Sequence, residues 1–182
     1  MRSLILLTLL LLPHAATAEP VSWSGNGTAR YILVHKFHEV AGTSTQVQAR
    51  VQWEGDQVKL QARALVTSFS SEDSNRDAHM QEVMEVDRFP FVTVRGIVAG
   101  LAPPTGAAKV SVTLKAEIEL HGQLVAKELP LTLAFTDPNH VTVEFDFVES
   151  LEAHGIERPS LLFVKVDDAL RVRGSASLER KP

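Results

Sequence analysis

The sequence predicts an all-β protein made of eight or nine long antiparallel strands. Apolar and polar residues alternate with a period of two over most of the chain, as in strands with one buried and one solvated face. Turn residues such as Gly55-Asp56 and Pro138-Asn139 separate the alternating runs. The chain shows no internal repeat and no linker, and its length fits a single domain.

The alternating runs indicate which side chains face the interior. The string VQARVQWE, residues 47–54, is apolar at every second position, and VSVTLKAEIELH, residues 110–121, is the clearest example. The residues that these runs place on the dry face are Val47, Ala49, Val51, Trp53, Val58, Leu60, Ala62, Ala64, Val66, Val110, Val112, Leu114, Ala116, Ile118, Leu120, Leu129, Leu131, Leu133, Phe135, Val141, Val143, Phe145, Phe147, Leu170, Val172, Ala176 and Leu178. We expect each run to be a strand with one face in the core.

The length of the strands restricts how the sheet can be arranged. Several runs span 10–12 residues, about 35–40 Å at ~3.3 Å per residue. Such a sheet must close into a barrel or pack on a second sheet, and a barrel of about eight strands is either filled or open to one small ligand. Inward alanines such as Ala49, Ala62 and Ala64 reduce the volume that fills the interior. A ligand tunnel and a packed core therefore both stay open.

One segment, NRDAHMQEVMEVDRFPFV at residues 75–92, departs from the alternation. It predicts a helix of two to three turns, with Ser74 or Asn75 as the N-cap and Pro90 beyond its end. The side chains that recur at helical spacing are Arg76, His79, Met80, Val83 and Met84. On a barrel this helix fits across one open end, where methionines adapt to irregular apolar surface. The alternative is a helix that caps a core with nothing but protein beneath it.

The N-terminus predicts an exported protein. Arg2 precedes an apolar run from Leu4 to Leu12, and Ala16-Thr17-Ala18 has the form of a cleavage site. We therefore predict a signal peptide over residues 1–18, cleaved near Ala18, and a mature domain over residues 19–182. No later run is apolar for long enough to span a membrane as a helix. The predicted location is the periplasm or the external medium.

Composition excludes several classes of function. The predicted mature chain lacks Arg2, so it has 17 Lys and Arg against 22 Asp and Glu, a formal charge of −5. That acidity argues against nucleic acid as a partner. With no cysteine, disulfides, thiolate metal sites and a cysteine nucleophile are ruled out.

Motifs for catalysis or metal binding are missing from the sequence. There is no Gly-x-Ser-x-Gly, no His-Glu-x-x-His and no glycine-rich phosphate loop, so we predict no catalytic residues and no enzyme. A catalytic site assembled from distant residues stays open. His35 and His38 lie three apart on a predicted strand and would face opposite sides, so we expect no metal site.

Four stretches of the chain resemble a known family. The stretch SFSSEDSNRDAHMQEVMEVDRFPFVTVRG, residues 68–96, is similar to the central signature of the YceI-like family, an Arg-Asp-x-His-Leu helix followed by an aromatic-Pro pair. ARYILVHKFHEVAGTSTQVQARVQWEG resembles its opening strands, LKAEIELHGQLVAKELPLTL its Leu-x-x-x-Gly-x-x-Lys strand pair, and LEAHGIERPSLLFVKVDDALRV its closing segment. The resemblance covers nearly all of the mature chain in order.

The resemblance implies a fold and a function. It implies an extended, eight-stranded, antiparallel lipocalin-like barrel with one short helix capping an end. It also implies an exported carrier that holds a long amphiphilic lipid, such as a polyisoprenoid, quinone or fatty-acyl compound, and no other cofactor. Dimers are common in the family, so a homodimer is a further expectation. Two alternatives stay open: a ligand-free structural or interaction domain, and a lipid-modifying enzyme.

The predicted ligand-binding residues are those of the inward strand faces and the helix. Tyr31 and His35, with His79, are expected to hydrogen-bond the head group of a lipid whose tail lies in the tunnel. The full set is Tyr31, Leu33, His35, Val51, Trp53, Leu60, Ala62, Ala64, His79, Met80, Met84, Phe89, Val92, Val94, Leu114, Ile118, Leu131, Leu133, Phe145 and Phe147.

Overall fold

Long antiparallel strands account for most of the chain, as the alternation predicts. The computed structural model describes residues 20–36, 38–161 and 164–181, so the predicted signal peptide lies outside the described residues. The elements in chain order are β1 Val21–His35, β2 His38–Glu54, β3 Gln57–Leu65, a 3-10 helix Val66–Ser68, α1 Ser74–Val83, β4 Phe91–Ala99, β5 Ala108–Leu120, β6 Gln123–Asp137, β7 His140–Ser150, a 3-10 helix Glu152–His154, β8 Ser160–Leu161, β9 Val164–Lys165 and β10 Ala169–Arg180.

Eight of the strands close into one barrel. Their order around it is β1-β10-β7-β6-β5-β4-β3-β2, with every pair antiparallel, while the two-residue strands β8 and β9 pair with each other outside it. The predicted eight-stranded antiparallel barrel with one short helix is confirmed, and the alternative of two packed sheets is wrong. The described residues contain ten strands rather than eight or nine, because the two-residue strands β8 and β9 are too short to show an alternating pattern.

Strand β2 contains a β-bulge and still keeps its apolar residues facing inward. The β1–β2 ladder shifts register between Gly27 and Ala29, where β2 carries one extra residue. Thr45 and Gln46 are consequently both exposed, while Ser44 and Val47 on either side of them are both buried. This bulge lets β2 keep its apolar residues inward over its whole length.

One end of the barrel is filled by aromatic side chains. The rings of Trp23 and Trp53 meet edge to face with centroids 5.0 Å apart, and Trp53 lies 5.9 Å from Phe135. The indole N–H of Trp53 donates to the carbonyl of Leu101 at 3.0 Å, and that of Trp23 to the carbonyl of Pro138 at 3.3 Å. All three aromatic residues are buried. We call this region the aromatic end; α1 lies at the opposite end, the helix end.

Glycines allow the first and last strands to cross closely where the barrel closes. A Cβ on Gly174 of β10 would overlap the backbone oxygen of Thr28 and would lie 2.7 Å from the ring of Phe145. A Cβ on Gly25 of β1 would overlap the backbone oxygen of Ser177 in the same way. Backbone oxygens cannot rotate away, so these positions need glycine for β1 and β10 to pair.

We therefore predict that Gly174→Ala destabilises the barrel. The added methyl must push β1 and β10 apart, and overpacking of this kind costs about 1–3 kcal/mol. Thermal unfolding should show a melting temperature lower by several degrees. The matched control is Gly106→Ala, where a Cβ meets nothing within 4 Å. Equal melting temperatures for the two variants would contradict this account of closure.

Candidate ligand-binding site

The helix α1 is attached to the barrel through its first turn. Its N-cap is Asp73, whose carboxylate accepts from the backbone N–H groups of Asn75 and Arg76 at 3.0 Å each. The sequence placed the N-cap at Ser74 or Asn75, and that assignment is wrong by one residue or two. Aspartate is an equally good cap, and the choice among adjacent capping residues depends on the path of the preceding loop.

Asp77 connects this first turn to strand β2. Its carboxylate accepts from the backbone N–H and hydroxyl of Ser71, at 2.8 and 2.6 Å, and from the hydroxyl of Ser70 at 3.1 Å. Ser70 in turn exchanges two backbone hydrogen bonds with Thr43 of β2. The hydrogen bonds that Asp77 accepts from Ser71 and Ser70, above all the one from the Ser71 hydroxyl, hold the pKa of Asp77 below its ordinary value.

The helix turns its methionines toward the barrel. Arg76 and His79 are exposed, Met80 is half-buried, and the C-cap residue Met84 is buried. Met84 belongs to an apolar cluster with Val66, Leu120 and Leu151, which come from the connections at the helix end. The helix therefore packs across this end of the barrel, as expected.

A cavity of about 200 Å³ lies inside the barrel between the aromatic end and the helix. Every barrel strand contributes to its wall, with Met80, Met84, Val66 and Leu151 at the helix end. Of the described residues that line it, three carry polar or charged side chains: Tyr31, Arg63 and Glu149. The barrel is thus filled over one part of its length and hollow over the other.

Fifteen of the twenty predicted residues line this cavity. They are Tyr31, Leu33, Val51, Leu60, Ala62, Ala64, Met80, Met84, Val92, Val94, Leu114, Ile118, Leu131, Phe145 and Phe147. The strand phases around Tyr31 and Val92 are therefore as predicted. That any of these side chains binds a ligand stays a prediction.

Five predicted residues lie away from the cavity. Trp53 and Leu133 face inward, but they belong to the packed part of the interior. Phe89 packs on His121, with ring centroids 5.1 Å apart, at the β5–β6 turn. His79 points outward from α1, with its Nδ1 3.6 Å from Glu82. His35 is buried at the last position of β1 but is not part of the cavity wall.

Thirteen further residues complete the wall. They are Ala29, Ala49, Arg63, Val66, Phe69, Leu120, Leu129, Val143, Glu149, Leu151, Leu170, Val172 and Ala176. Most of them were already assigned to inward faces by the alternation. Glu149 could have been found in the same way, because it continues the inward series of Val143, Phe145 and Phe147 along β7.

Tyr31 places a phenol in the cavity wall. Its ring lies against Gly42, where a Cβ would come within 2.8 Å of the hydroxyl, and 5.8 Å from the ring of Phe69. Burial, with a smaller effect from the carboxylate of Asp77, raises the pKa of Tyr31. The phenol therefore stays protonated and able to donate a hydrogen bond at neutral pH.

The histidine pair His35 and His38 is arranged differently from the expectation. A turn at Lys36 separates β1 from β2, and the two histidines are cross-strand partners rather than members of one strand. The argument that they face opposite sides is therefore wrong. Among the residues that the structure describes, no group of three or more His, Asp or Glu is placed to hold a metal ion.

The barrel wall has an open seam between β6 and β7. The ladder between these two fully described strands ends at the pair Leu131–Phe145, so Gln123–Pro130 of β6 and Asp146–Ser150 of β7 are not paired with each other. Side chains bridge the gap. The ammonium of Lys127 donates to the carbonyl of Val148, and it lies 3.4 Å from Oε2 of Glu149.

His154 fills the inner part of the seam. Its Nδ1 donates to the carbonyl of Gln123 at 3.3 Å, and its Nε2 lies 3.7 Å from Oε1 of Glu149. Both side chains are buried, at 0% exposed for His154 and 4% for Glu149. Oε1 of Glu149 also accepts from the backbone N–H of Ser150 at 3.1 Å. A buried carboxylate and a buried imidazole thus lie side by side in the wall.

The fold and the cavity together define a closed β-barrel with an apolar interior space, covered at one end by a helix. The YceI-like domain family matches residues 23–178, so the chain belongs to that family. Among curated proteins no relative matches the chain.

Solved structures show the same fold at low sequence identity. A polyisoprenoid binding domain from Saccharophagus degradans, implicated in plant cell wall breakdown, has a TM-score of 0.74 at 12% identity, over 90% of this chain and 100% of that one. BcnA of Burkholderia cenocepacia gives 0.66 at 15% identity, over 83% and 95%. The YCEI protein of Campylobacter jejuni gives 0.52 at 12%, over 78% and 86%. In the described part of this chain, no helix is both long and apolar enough to cross a membrane.

We predict that Asp77→Asn loosens the attachment of α1. The amide loses one acceptor oxygen and the charge, and because the site is partly exposed the free energy of unfolding should fall by about 1 kcal/mol. The folded-state pKa of Asp77 is lowered, so its contribution is complete above about pH 4 and is lost as the pH falls through the folded-state value.

Thermal unfolding of both proteins between neutral pH and pH 3 checks this. The wild type should be more stable at neutral pH, and the difference should shrink toward pH 3. Asp87→Asn, at an exposed carboxylate of the same connection, is the control and should behave as wild type. A difference that does not vary with pH would contradict the role of the Asp77 carboxylate.

Proposed function

We propose that the protein binds the hydrocarbon chain of a long amphiphilic lipid, of polyisoprenoid, quinone or fatty-acyl type, inside the barrel. The observation that carries the proposal is the apolar cavity between the aromatic end and α1. Membership of the YceI-like family and the fold shared with a polyisoprenoid binding domain support it. An apolar wall contributes affinity for hydrocarbon through the hydrophobic effect, at about 25 cal/mol per Å² of apolar surface buried.

The small volume of the cavity favours a slender ligand. Its volume of about 200 Å³ is below the range of about 300–1,000 Å³ typical of pockets for drug-sized molecules. A single unbranched or prenyl chain fits such a space better than a compact ring system does. Met80 and Met84 are flexible side chains that can shift to admit more of the chain.

Binding explains the interior better than the alternatives do. A ligand-free interaction domain has no need of a hollow half, whereas a filled barrel would be more stable. Catalysis on a lipid would need polar groups that converge on the reacting atoms, whereas the described wall is apolar apart from Tyr31 on β1, Arg63 on β3 and the pair of Glu149 and His154 at the edge of the cavity. We therefore infer a carrier or sequestering protein rather than an enzyme.

We further infer that the protein works outside the cytoplasm. The signal-like segment at residues 1–18 supports this inference. A binding protein that keeps a lipid chain out of water is useful in an aqueous compartment between or beyond membranes. Self-association into a homodimer stays an expectation that the family resemblance suggests.

We predict that the protein purified from its native host contains a long-chain lipid. The mature chain, residues 19–182, should be isolated without detergent, extracted with organic solvent and analysed by mass spectrometry. A near-stoichiometric amphiphile with a long chain is expected. An empty extract, repeated after incubation with mixtures of prenyl compounds, quinones and fatty acids, would contradict the proposal and favour the interaction domain.

We predict that Ala62→Leu abolishes or strongly weakens lipid binding. Ala62 lines the cavity next to its cross-strand partner Ala49 on the neighbouring strand β2. A leucine at position 62 therefore occupies space that the ligand chain would need. The matched control is Ala99→Leu, the same change at an exposed position of β4. Titration with a neutral fluorescent long-chain probe should show affinity reduced about tenfold or more for Ala62→Leu and unchanged for Ala99→Leu. Thermal unfolding should confirm that both variants fold.

A further inference from the structure

The buried pair Glu149 and His154 is an unusual feature for a wall next to an apolar cavity. Burying a carboxylate costs free energy unless hydrogen bonds and charges compensate for it. Glu149 has partial compensation from the N–H of Ser150 and from Lys127 at 3.4 Å. This arrangement lies beside the cavity, on the same inward face of β7 as Phe145 and Phe147.

The hydrogen bond at Nδ1 decides the role of Nε2 when the His154 ring is neutral. The carbonyl of Gln123 can only accept, so Nδ1 of His154 carries the proton in that bond. In the neutral imidazole, Nε2 is then an acceptor, and it lies 3.7 Å from the acceptor oxygen Oε1 of Glu149. Among the described residues Nε2 has no hydrogen-bond partner, although it is fully buried. A donor placed against these two atoms would satisfy both.

The open seam is where such a donor would reach Glu149. With β6 and β7 unpaired beyond Leu131 and Phe145, side chains rather than a ladder hold the wall together here. Lys127 crosses the seam to Val148 and Glu149, and its side chain is 35% exposed. Outside the seam, Leu124 and Val148 are half-exposed apolar residues. The seam thus lies between the solvent and Glu149 at the helix end of the cavity, with Lys127 across it.

We propose that the seam between β6 and β7 is the head-group subsite of the cavity, and that it selects a neutral hydrogen-bond donor, namely the hydroxyl of a long-chain alcohol. The hydroxyl donates to Oε1 of Glu149 and accepts from Lys127, while the hydrocarbon chain lies in the cavity. An anionic head group meets the buried carboxylate at close range and is disfavoured. This inference rests on the proposed function and adds the chemistry of the head group to it.

Three probes with the same chain separate the contributions of charge and of hydrogen bonding. Geranylgeraniol has the donor, its methyl ether is neutral without a donor, and its monophosphate is anionic. Each should be titrated against the mature wild-type protein by displacement of a neutral naphthylamine dye. We expect the alcohol to bind about tenfold more tightly than either of the others.

Two variants test the role of Glu149. Glu149→Gln removes the charge, so the alcohol and the phosphate should bind within about threefold of each other. Glu144→Gln removes the same charge from the outward face of the same strand, where Glu144 is exposed and lies 3.5 Å from Lys109. That variant should keep the wild-type ranking. Circular dichroism and thermal unfolding show whether each variant is folded, and if Glu149→Gln is not, the wild-type ranking of the three probes remains the test.

The outcomes are distinct. Equal binding of the three probes by the wild type, or an unchanged preference in Glu149→Gln, overturns the head-group inference and leaves the proposed function intact. Tighter binding of the phosphate than of the alcohol also overturns it, since Lys127 would then be the anchor. No binding of any probe by the wild type overturns the proposed function together with this inference.

Discussion

Pairing of the first strand with the last is the interaction on which the rest of the structure depends. β1 and β10 are in continuous register from Trp23–Arg180 to Ile32–Arg171, and this ladder converts an open sheet into a closed barrel. Without it, the two strands would be edges with unpaired backbone groups, and the inward face would be open to water. Gly25 and Gly174 allow the close approach that this ladder needs. The barrel encloses the aromatic end and the cavity because its first and last strands pair with each other.

The enclosed volume is used in two different ways. At the aromatic end, Trp23, Trp53 and Phe135 fill the interior and satisfy their indole N–H groups through loop carbonyls. Toward the helix, alanines such as Ala29, Ala49 and Ala62 leave a cavity of about 200 Å³. An apolar hollow that no side chain fills forgoes packing contacts, so it is more easily explained by a ligand that occupies it than by imperfect packing.

The alternation of residues was sufficient to predict the strands and most of the wall. A period of two sets which side chains share a face, so Val51, Leu60 and Phe145 could be placed inside from the sequence alone. It could not show how far along the barrel each residue lies. Trp53 and Leu133 face inward like the others, yet they belong to the packed part of the interior. Whether an inward residue meets packed side chains or the cavity depends on which side chains lie across the barrel from it. Family resemblance correctly indicated the barrel and the helix. It did not show that His79 faces the solvent, because this depends on how α1 is rotated about its axis. The helical stripe contains both polar and apolar residues, so it does not determine that rotation.

Tyr31 was predicted as a polar residue of the wall, but Glu149 was missed, and the physical reason also explains how Glu149 is held. Glu149 lies in a series of apolar inward positions, and a lone acid in such a series is usually assigned to a turn or an edge. It can be buried here because the β6–β7 ladder stops early and Lys127 and His154 enter the gap.

The same contacts extend to the helix. The carbonyl of His154 accepts from His121 at 3.3 Å, and Nε2 of His121 lies 3.4 Å from Glu85, just beyond the C-cap of α1. The seam and the helix are thus coupled through one continuous set of polar contacts at one end of the barrel. The aromatic end, by contrast, is filled by the buried rings of Trp23, Trp53 and Phe135. Between β6 and β7 at the helix end, side-chain contacts rather than strand pairing therefore close the wall.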